Sequence, residues 1–414
     1  MAVVVIGSGI AAVTAVQALR ANGYTGPVKM VTNDAPPFYY RPLLPFLIDG
    51  SKTVEEIQLT TDPVAAFGIT LVKETVRAVN PADRTVTLSS GEALAYEKLL
   101  IASGSRPVTP PVKGLEGEGV FTLRTAADAL AIREYLDRSG ATAAAVVGGG
   151  LIGVKAAEAL RRRGLKVTVI ELLPTILSPL VDAAGAAILT TRLRAAGIDV
   201  LVNQRLEAVL RANGSVAGLR LPDGELSAGV IVVATGVRPN TSFLAGSGIA
   251  CGKGILVDEH LRTSVPDIWA AGDVIEYQDL FTGLPITSGL WVNAVCTGKI
   301  AGTNMAGGRL RCPGFLPALN AIEVAGLPVI AAGLPGVAGD DYQVYAAREG
   351  ENYRRVVLQE ERLIGVLLIG EVARAGVYVS LIGSQKSLPG LAAALATDSL
   401  SYARVAYLSK LVSR

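Results

Sequence analysis

The chain has 414 residues, half of them hydrophobic and 18% charged, enough for roughly two to three domains with sizeable buried cores. A formal net charge of +2 gives no electrostatic basis for binding nucleic acid or an anionic membrane surface. The mean hydropathy is +0.44, but the longest uncharged stretches, 1–19 and 280–298, are broken by glycines and by Ser, Thr or Asn, so neither reads as a spanning helix.

The chain opens on Val3-Val4-Val5-Ile6-Gly7-Ser8-Gly9-Ile10-Ala11-Ala12, a β-branched apolar run, a glycine turn and then an Ala/Leu-rich stretch with helical spacing. That order predicts a strand over 2–6 and a helix over 10–21. In this context Gly7 permits the tight turn, Gly9 lets the backbone approach a pyrophosphate, and Ala12 is the small residue that lets helix and strand pack closely. The phosphates would sit on the N–H groups at the helix start, where the macrodipole favours negative charge. With no basic residues ahead of the apolar run, the segment reads as part of the fold rather than as a secretory signal, and the expected location is cytoplasmic.

A second strand, over 28–32, ends in Thr32-Asn33-Asp34, where a ribose-binding acid is expected. Either Asp34 or Asn33 fits that place, and such a residue after a strand is equally a turn former. A Pro- and aromatic-rich loop covers 35–45, and 71–79 with 85–88 read as a hairpin. A strand over 96–103 leads into Ala102-Ser103-Gly104-Ser105-Arg106-Pro107.

After Pro110-Pro111 the pattern begins again. A helix over 126–138 precedes a strand over 143–147, the turn Gly148-Gly149-Gly150-Leu151-Ile152-Gly153, a helix over 151–163, and a strand over 166–170 ending in Glu171. Glu171 suits the two ribose hydroxyls of an adenosine. No Lys or Arg lies between Glu171 and Arg192 to receive a 2′-phosphate, which favours NAD(H) over NADP(H). A hairpin region covers 198–226, and a buried strand over 229–234 ends in Ala234-Thr235-Gly236-Val237-Arg238-Pro239-Asn240, a near copy of 102–107. Two glycine turns and two similar strand ends in the same order indicate two copies of one nucleotide-binding architecture, and so two dinucleotides.

An apolar strand then ends in Ala270-Ala271-Gly272-Asp273. Asp273 is either an N-cap or a ligand to a ribityl or phosphate-proximal hydroxyl. A long helix covers about 291–305. Beyond Cys312-Pro313-Gly314, strands are expected over 342–347, 354–359 and 363–370, and helices over 371–383 and 398–412. This third unit carries no nucleotide signature, and its apolar tail over 381–411 suggests either a buried contact or self-packing.

Cys251, Cys296 and Cys312 are far apart and form no CxxC or CxxxxC pair, which argues against a dithiol centre or a thiolate-ligated cluster. His260 is the only histidine, so a multi-histidine metal site is excluded and a Cys–His dyad is not expected.

The five ordered motifs, from Gly7-x-Gly9-x-x-Ala12 to Ala-Ala-Gly-Asp273, resemble the FAD-dependent pyridine-nucleotide oxidoreductases of the glutathione-reductase superfamily over essentially the whole chain. The resemblance implies an α/β fold with two Rossmann-like dinucleotide-binding domains, the NAD domain inserted in the FAD domain, and a small α+β C-terminal domain. The implied boundaries are 1–108 and 240–315 for the FAD part, 109–239 for the NAD part and 316–414 for the C-terminal domain. It implies FAD on the first turn with Asp273 on its ribityl–pyrophosphate, NAD(H) on the second, and further cofactor contacts at Arg41, Ser103, Gly104, Arg106, Gly236 and Gly272.

Tyr39-Tyr40-Arg41-Pro42, Leu290-Trp291-Val292-Asn293-Ala294 and 367–378 are similar to NADH:rubredoxin reductases, and to flavoprotein subunits of phenylglyoxylate dehydrogenase and tungsten aldehyde oxidoreductase complexes. The departures are informative. Arg41-Pro42-Leu43-Leu44-Pro45-Phe46 contains no sulfur, where disulfide reductases and water-forming oxidases of this superfamily carry cysteine. Many relatives place a Lys–Glu pair near flavin N5, whereas Lys155 stands at the Glu position and Phe46 at the Lys position. Lys155 is either a solvated helix residue or a flavin-proximal cation, which would raise the flavin potential. Arg161-Arg162-Arg163 reads as a basic helix end or as a docking patch for an acidic partner.

The resulting expectation is a flavoprotein that exchanges hydride between NAD(H) and FAD. Its electrons would pass to or from an iron–sulfur protein or subunit, with a homodimer as a further expectation. The alternatives are a free-standing NADH:rubredoxin or ferredoxin reductase or NADH oxidase, and a flavin-bearing interaction protein whose redox state controls docking.

Overall fold

The computed structural model describes residues 2–387 and Leu395. They fall into two compact units, one of residues 2–108, 122–137 and 236–315, the other of residues 109–121, 138–235 and the described residues from 316 onward. Residues 122–137 thus group with the first glycine turn.

The first unit is organised by a parallel sheet in the order Ile69–Val72, Val28–Val31, Ala2–Ile6, Ala93–Ile101, with Ile268–Ala270 on the far side of Ala93–Ile101. Every residue of Ala2–Ile6 is buried, as expected of a parallel strand covered on both faces. The strand order reverses at Ala2–Ile6, so the crevice beyond its carboxyl end is the natural ligand position. Helix Ile10–Ala21 lies against helix Trp291–Met305, and the approach is close because the second helix offers glycines. A Cβ on Gly298 would stand 2.4 Å from the Ala11 carbonyl oxygen, and one on Gly302 would stand 2.0 Å from that of Ala15.

The expected single strand over 71–79 is two strands. Ile69–Val72 joins the parallel sheet, the charged Lys73-Glu74 ends it, and Val76–Asn80 turns away to pair antiparallel with Thr85–Leu88.

In the second unit the parallel strands follow the order Ile198–Leu201, Lys166–Ile170, Ala143–Val147, Val230–Val233. This is the connectivity of the first unit repeated. Ile198–Leu201 therefore belongs to the parallel sheet rather than to a hairpin. The antiparallel part is the three-stranded set Ala208–Ala212, Ser215–Leu221 and Gly224–Ser227.

The same unit holds a five-stranded antiparallel sheet in the order Leu319–Val324, Leu327–Gly333, Arg362–Ile369, Asn352–Gln359, Gln343–Glu349, followed by helix Ala375–Ser384. Its first two strands were not anticipated. They are joined by a two-residue turn at Ala325-Gly326, both with positive φ. Ala-Gly is a weaker hairpin signal than Asn-Gly or Asp-Gly. The helix expected over 398–412 and most of the apolar tail lie outside the described residues. Among the described residues, no helix is long and apolar enough to cross a membrane.

Candidate dinucleotide sites

Gly7 has φ +105° and its amide donates to Val31 O at 2.8 Å; a Cβ there would stand 2.3 Å from the Ala102 carbonyl oxygen. The first turn is thereby pressed between two strand ends, a place only glycine fits. Gly9 is the N-cap of helix Ile10–Ala21 and supplies no side-chain cap, and a Cβ on it would meet nothing within 4 Å. Open space in front of uncapped helix N–H groups is what a pyrophosphate needs. Ala12 is fully buried against the strand.

Around this turn the first unit assembles a chain of charges. Asp273 lies in the short helix Gly272–Val274 that follows strand Ile268–Ala270. Gly272 has φ +81°, a Cβ there would stand 2.8 Å from Ala11 Cβ, and its amide donates to Thr297 Oγ1 at 3.0 Å. Asp273 is thus held against the start of the first helix. Its Oδ2 accepts from Ser105 Oγ at 3.1 Å and from Arg124 Nη2 at 3.0 Å, with both charged side chains largely buried. Arg124 O in turn accepts from Arg41 Nη1 at 2.8 Å, and Arg41 Nη2 donates to Asp34 Oδ2 at 2.7 Å. The Tyr39 hydroxyl also donates to Asp34 at 2.9 Å, and burial raises its pKa well above the usual phenol range.

Asp34 is therefore taken up by Arg41 and Tyr39 inside the protein, while Asn33 stands exposed just beyond the strand end. Arg41 and Asp273 are brought into one network as partners of other residues, and Arg124 is the member that sequence reasoning missed. A signal for it was present. Thr125 and Asp128 form a reciprocal capping box, with Asp128 N donating to Thr125 Oγ1 and Thr125 N to Asp128 Oδ2. This Thr-x-x-Asp pattern marks a helix start and fixes the residue immediately before it.

The two similar strand ends pair with each other. Ser105–Pro107 runs antiparallel to Val237–Pro239, placing Arg106 opposite Arg238, both exposed. Ser103 Oγ donates to Asn240 O at 2.9 Å, and Asn240 N donates to the carbonyl of Gly104, which has φ +68°. Gly236 has φ +112° and its carbonyl accepts from Val108 N.

In the second unit, Gly148 has φ +111° and a Cβ there would stand 2.4 Å from Ala234 O, while Gly150 caps helix Leu151–Arg162 with open space in front. A Cβ on Gly153 would stand 1.9 Å from Gly148 O, so this third position admits no side chain. Glu171 Oε2 accepts from Gly149 N at 2.6 Å and Oε1 from Leu173 N at 2.8 Å, which fixes the carboxylate beside the turn. Leu172 and Leu173 are exposed and uncharged.

Lys155 pairs with Glu158 one turn along the same helix, and its Nζ donates to Glu323 O at 3.0 Å. Glu158 Oε1 accepts from Ala325 N at 2.7 Å, so the pair grips the Ala325-Gly326 turn of the antiparallel sheet.

Position 43 is a leucine in the short helix Arg41–Leu43. Cys312 is buried, and burial pushes its thiol up to about 11; the thiols of Cys251 and Cys296 are raised for the same reason. Raised thiol pKa values leave little thiolate near neutrality. Among the described residues no group of His, Cys, Asp or Glu could hold a metal ion.

The sequence pattern of the pyridine nucleotide-disulphide oxidoreductases matches residues 1–298. The chain is 31% identical over 409 residues to the epsilon subunit of NADH-dependent phenylglyoxylate dehydrogenase from Aromatoleum evansii, covering 97% of this chain and 96% of that subunit. It is 30% identical to a rubredoxin-NAD(+) reductase from Pseudomonas putida, over 91% of this chain and 97% of that protein. The structure of a NAD-dependent persulfide reductase from A. fulgidus superposes with a TM-score of 0.89 at 29% identity, covering 100% of this chain and 83% of that one. The uncapped helix starts and open glycine turns of both units fit the two cofactors of such proteins, FAD and NAD(H).

Proposed function

This chain belongs to the pyridine nucleotide-disulphide oxidoreductase family, and from that premise we propose that it is the FAD- and NAD(H)-binding subunit of a larger oxidoreductase complex. Bound FAD would exchange a hydride with the nicotinamide and single electrons with an iron–sulfur partner. The observation that carries this reading is the near end-to-end likeness to a dehydrogenase subunit, in a chain whose position 43 is leucine and whose thiol pKa values are raised by burial. With no dithiol to receive electrons, they leave the chain.

The chain's own residues bind and orient. Gly7, Gly9 and Ala12 would admit the FAD pyrophosphate to the first helix, and Arg41 and Arg124 would offset its charge. Asp273 would take a ribityl hydroxyl and Asn33 the adenosine ribose, since Asp34 is engaged. Gly148, Gly150 and Gly153 would do the same for NAD(H), with Glu171 on its ribose. Lys155 is proposed as a cation tuning the flavin, its field reduced by Glu158. Finer parts of the proposal are that the chain pairs with a second copy of itself and acts in the cytoplasm.

Affinity purification from the native cell tests the reading. An obligate subunit emerges with iron–sulfur polypeptides and, alone, reduces rubredoxin or ferredoxin poorly. The likeness to the Pseudomonas putida reductase favours a second reading, a free-standing rubredoxin or ferredoxin reductase. Fast carrier reduction by the isolated chain would select it.

A further inference from the structure

The segment between Glu171 and helix Ala183–Ala195 closes over the second glycine turn. Leu177 N donates to Gly149 O at 2.8 Å, and Ile176 is fully buried with Cγ2 2.9 Å from where a Gly149 Cβ would be. Leu177 has φ +56°, a left-handed conformation that is costly for a leucine and persists only where the surroundings impose it.

The far end of the segment is fastened by the antiparallel sheet. Asp182 caps the helix through Oδ1, which accepts from Gly185 N at 3.1 Å. Its Oδ2 accepts from the Tyr353 hydroxyl at 2.7 Å and lies 3.5 Å from Arg355 Nε. Arg355 is 4% exposed and also donates to Pro335 O and to Val337 O. Those carbonyls flank Gly336, where a Cβ would stand 2.2 Å from Pro179 O. Tyr353 and Arg355, two residues apart on strand Asn352–Gln359, so hold the segment at both Pro179 and Asp182.

We infer that Tyr353 and Arg355 are positioning residues for the pyridine nucleotide, setting NAD(H) affinity through Asp182 and the segment 171–181. The inference rests on the assignment of NAD(H) to the second turn. Removing the Tyr353 hydroxyl frees one anchor of the segment without opening a cavity, and Leu177 then relaxes away from Gly149. Small displacements at a binding turn are costly, so binding should suffer while chemistry on bound nucleotide does not.

The test is steady-state and stopped-flow reduction of the FAD-loaded full chain by NADH, in Tyr353→Phe and Arg355→Lys, beside Glu171→Ala. The KM for NADH should rise about tenfold in Tyr353→Phe, with kcat within about twofold and flavin content unchanged. Arg355→Lys, which keeps the charge but not the fork to two carbonyls, should show the same split. An unchanged KM in both variants, with a raised KM in Glu171→Ala, would overturn the inference and leave these residues purely structural. Parallel loss of kcat and flavin would overturn it as well. An unaltered KM in Glu171→Ala would instead remove the nucleotide assignment, and the inference with it.

Discussion

The two glycine turns have the same backbone and different chemistry around it. In the first unit Gly7 N bonds Val31 O, and in the second Gly148 N bonds Ile170 O, so Thr32 and Glu171 occupy equivalent places. Thr32 is buried in a 2.8 Å hydroxyl pair with Ser8, whereas Glu171 is a charged group bonded to the Gly149 amide. Beside the first turn the charges lie in the chain Asp34–Arg41–Arg124–Asp273, spread over three separate segments of sequence. Beside the second stand one carboxylate, Glu171, and the segment fastened to Gly149 through Leu177. A ligand held by a distributed, largely buried network would stay; one read by a single acid would exchange. That is the division expected between a resident FAD and a cycling NAD(H).

The largest effects should come from breaking the turns themselves. Gly148→Ala should keep its flavin but lose NADH-driven reduction on the order of 100-fold, because the new Cβ meets Ala234 O at 2.4 Å in a left-handed conformation. Gly7→Ala should lose the flavin instead, measured as the absorbance ratio at 450 and 280 nm on purification. Next comes Arg124→Met, which leaves Asp273 buried without its cation. Removing the cation of a buried pair costs about 3 kcal/mol of folding stability, and with Asp273 no longer held in place the flavin content on purification should fall while KM for NADH stays put. Glu171→Ala should raise KM for NADH about tenfold through loss of charge-assisted hydrogen bonds, with FAD retained; flavin loss there would mean the two turns were assigned in reverse. The smallest effect belongs to Lys155→Glu. It should lower the flavin midpoint by a few tens of millivolts, since the substitution reverses one charge and leaves Glu158 without its cation; a midpoint identical to the parent's removes Lys155 from the flavin's surroundings.

Legibility in the sequence followed locality. The turns, the strands beside them and helix Trp291–Met305 were readable because Gly-x-Gly and apolar runs are local signals. The strand over 71–79 was misread because its apolar pattern continues across Lys73-Glu74, and only pairing reveals that Ile69–Val72 and Val76–Asn80 belong to different ladders. Strands Leu319–Val324 and Leu327–Gly333 were missed because an Ala-Gly turn is a weak marker. In the site, Asp34 and Arg41 could be named, but not that they bind each other. Arg124, more than 80 residues from Arg41, joins them only through the fold. Lys155 shows the same limit, since its partner Glu158 and the turn they grip were not foreseen.

An anaerobic titration with NADH measures directly whether the chain's redox capacity is one flavin and no sulfur. One equivalent of NADH per chain should bleach the flavin absorbance fully, with no further uptake and no change after alkylation of the thiols. Uptake of two equivalents, or a protein that binds no flavin at all, would contradict it.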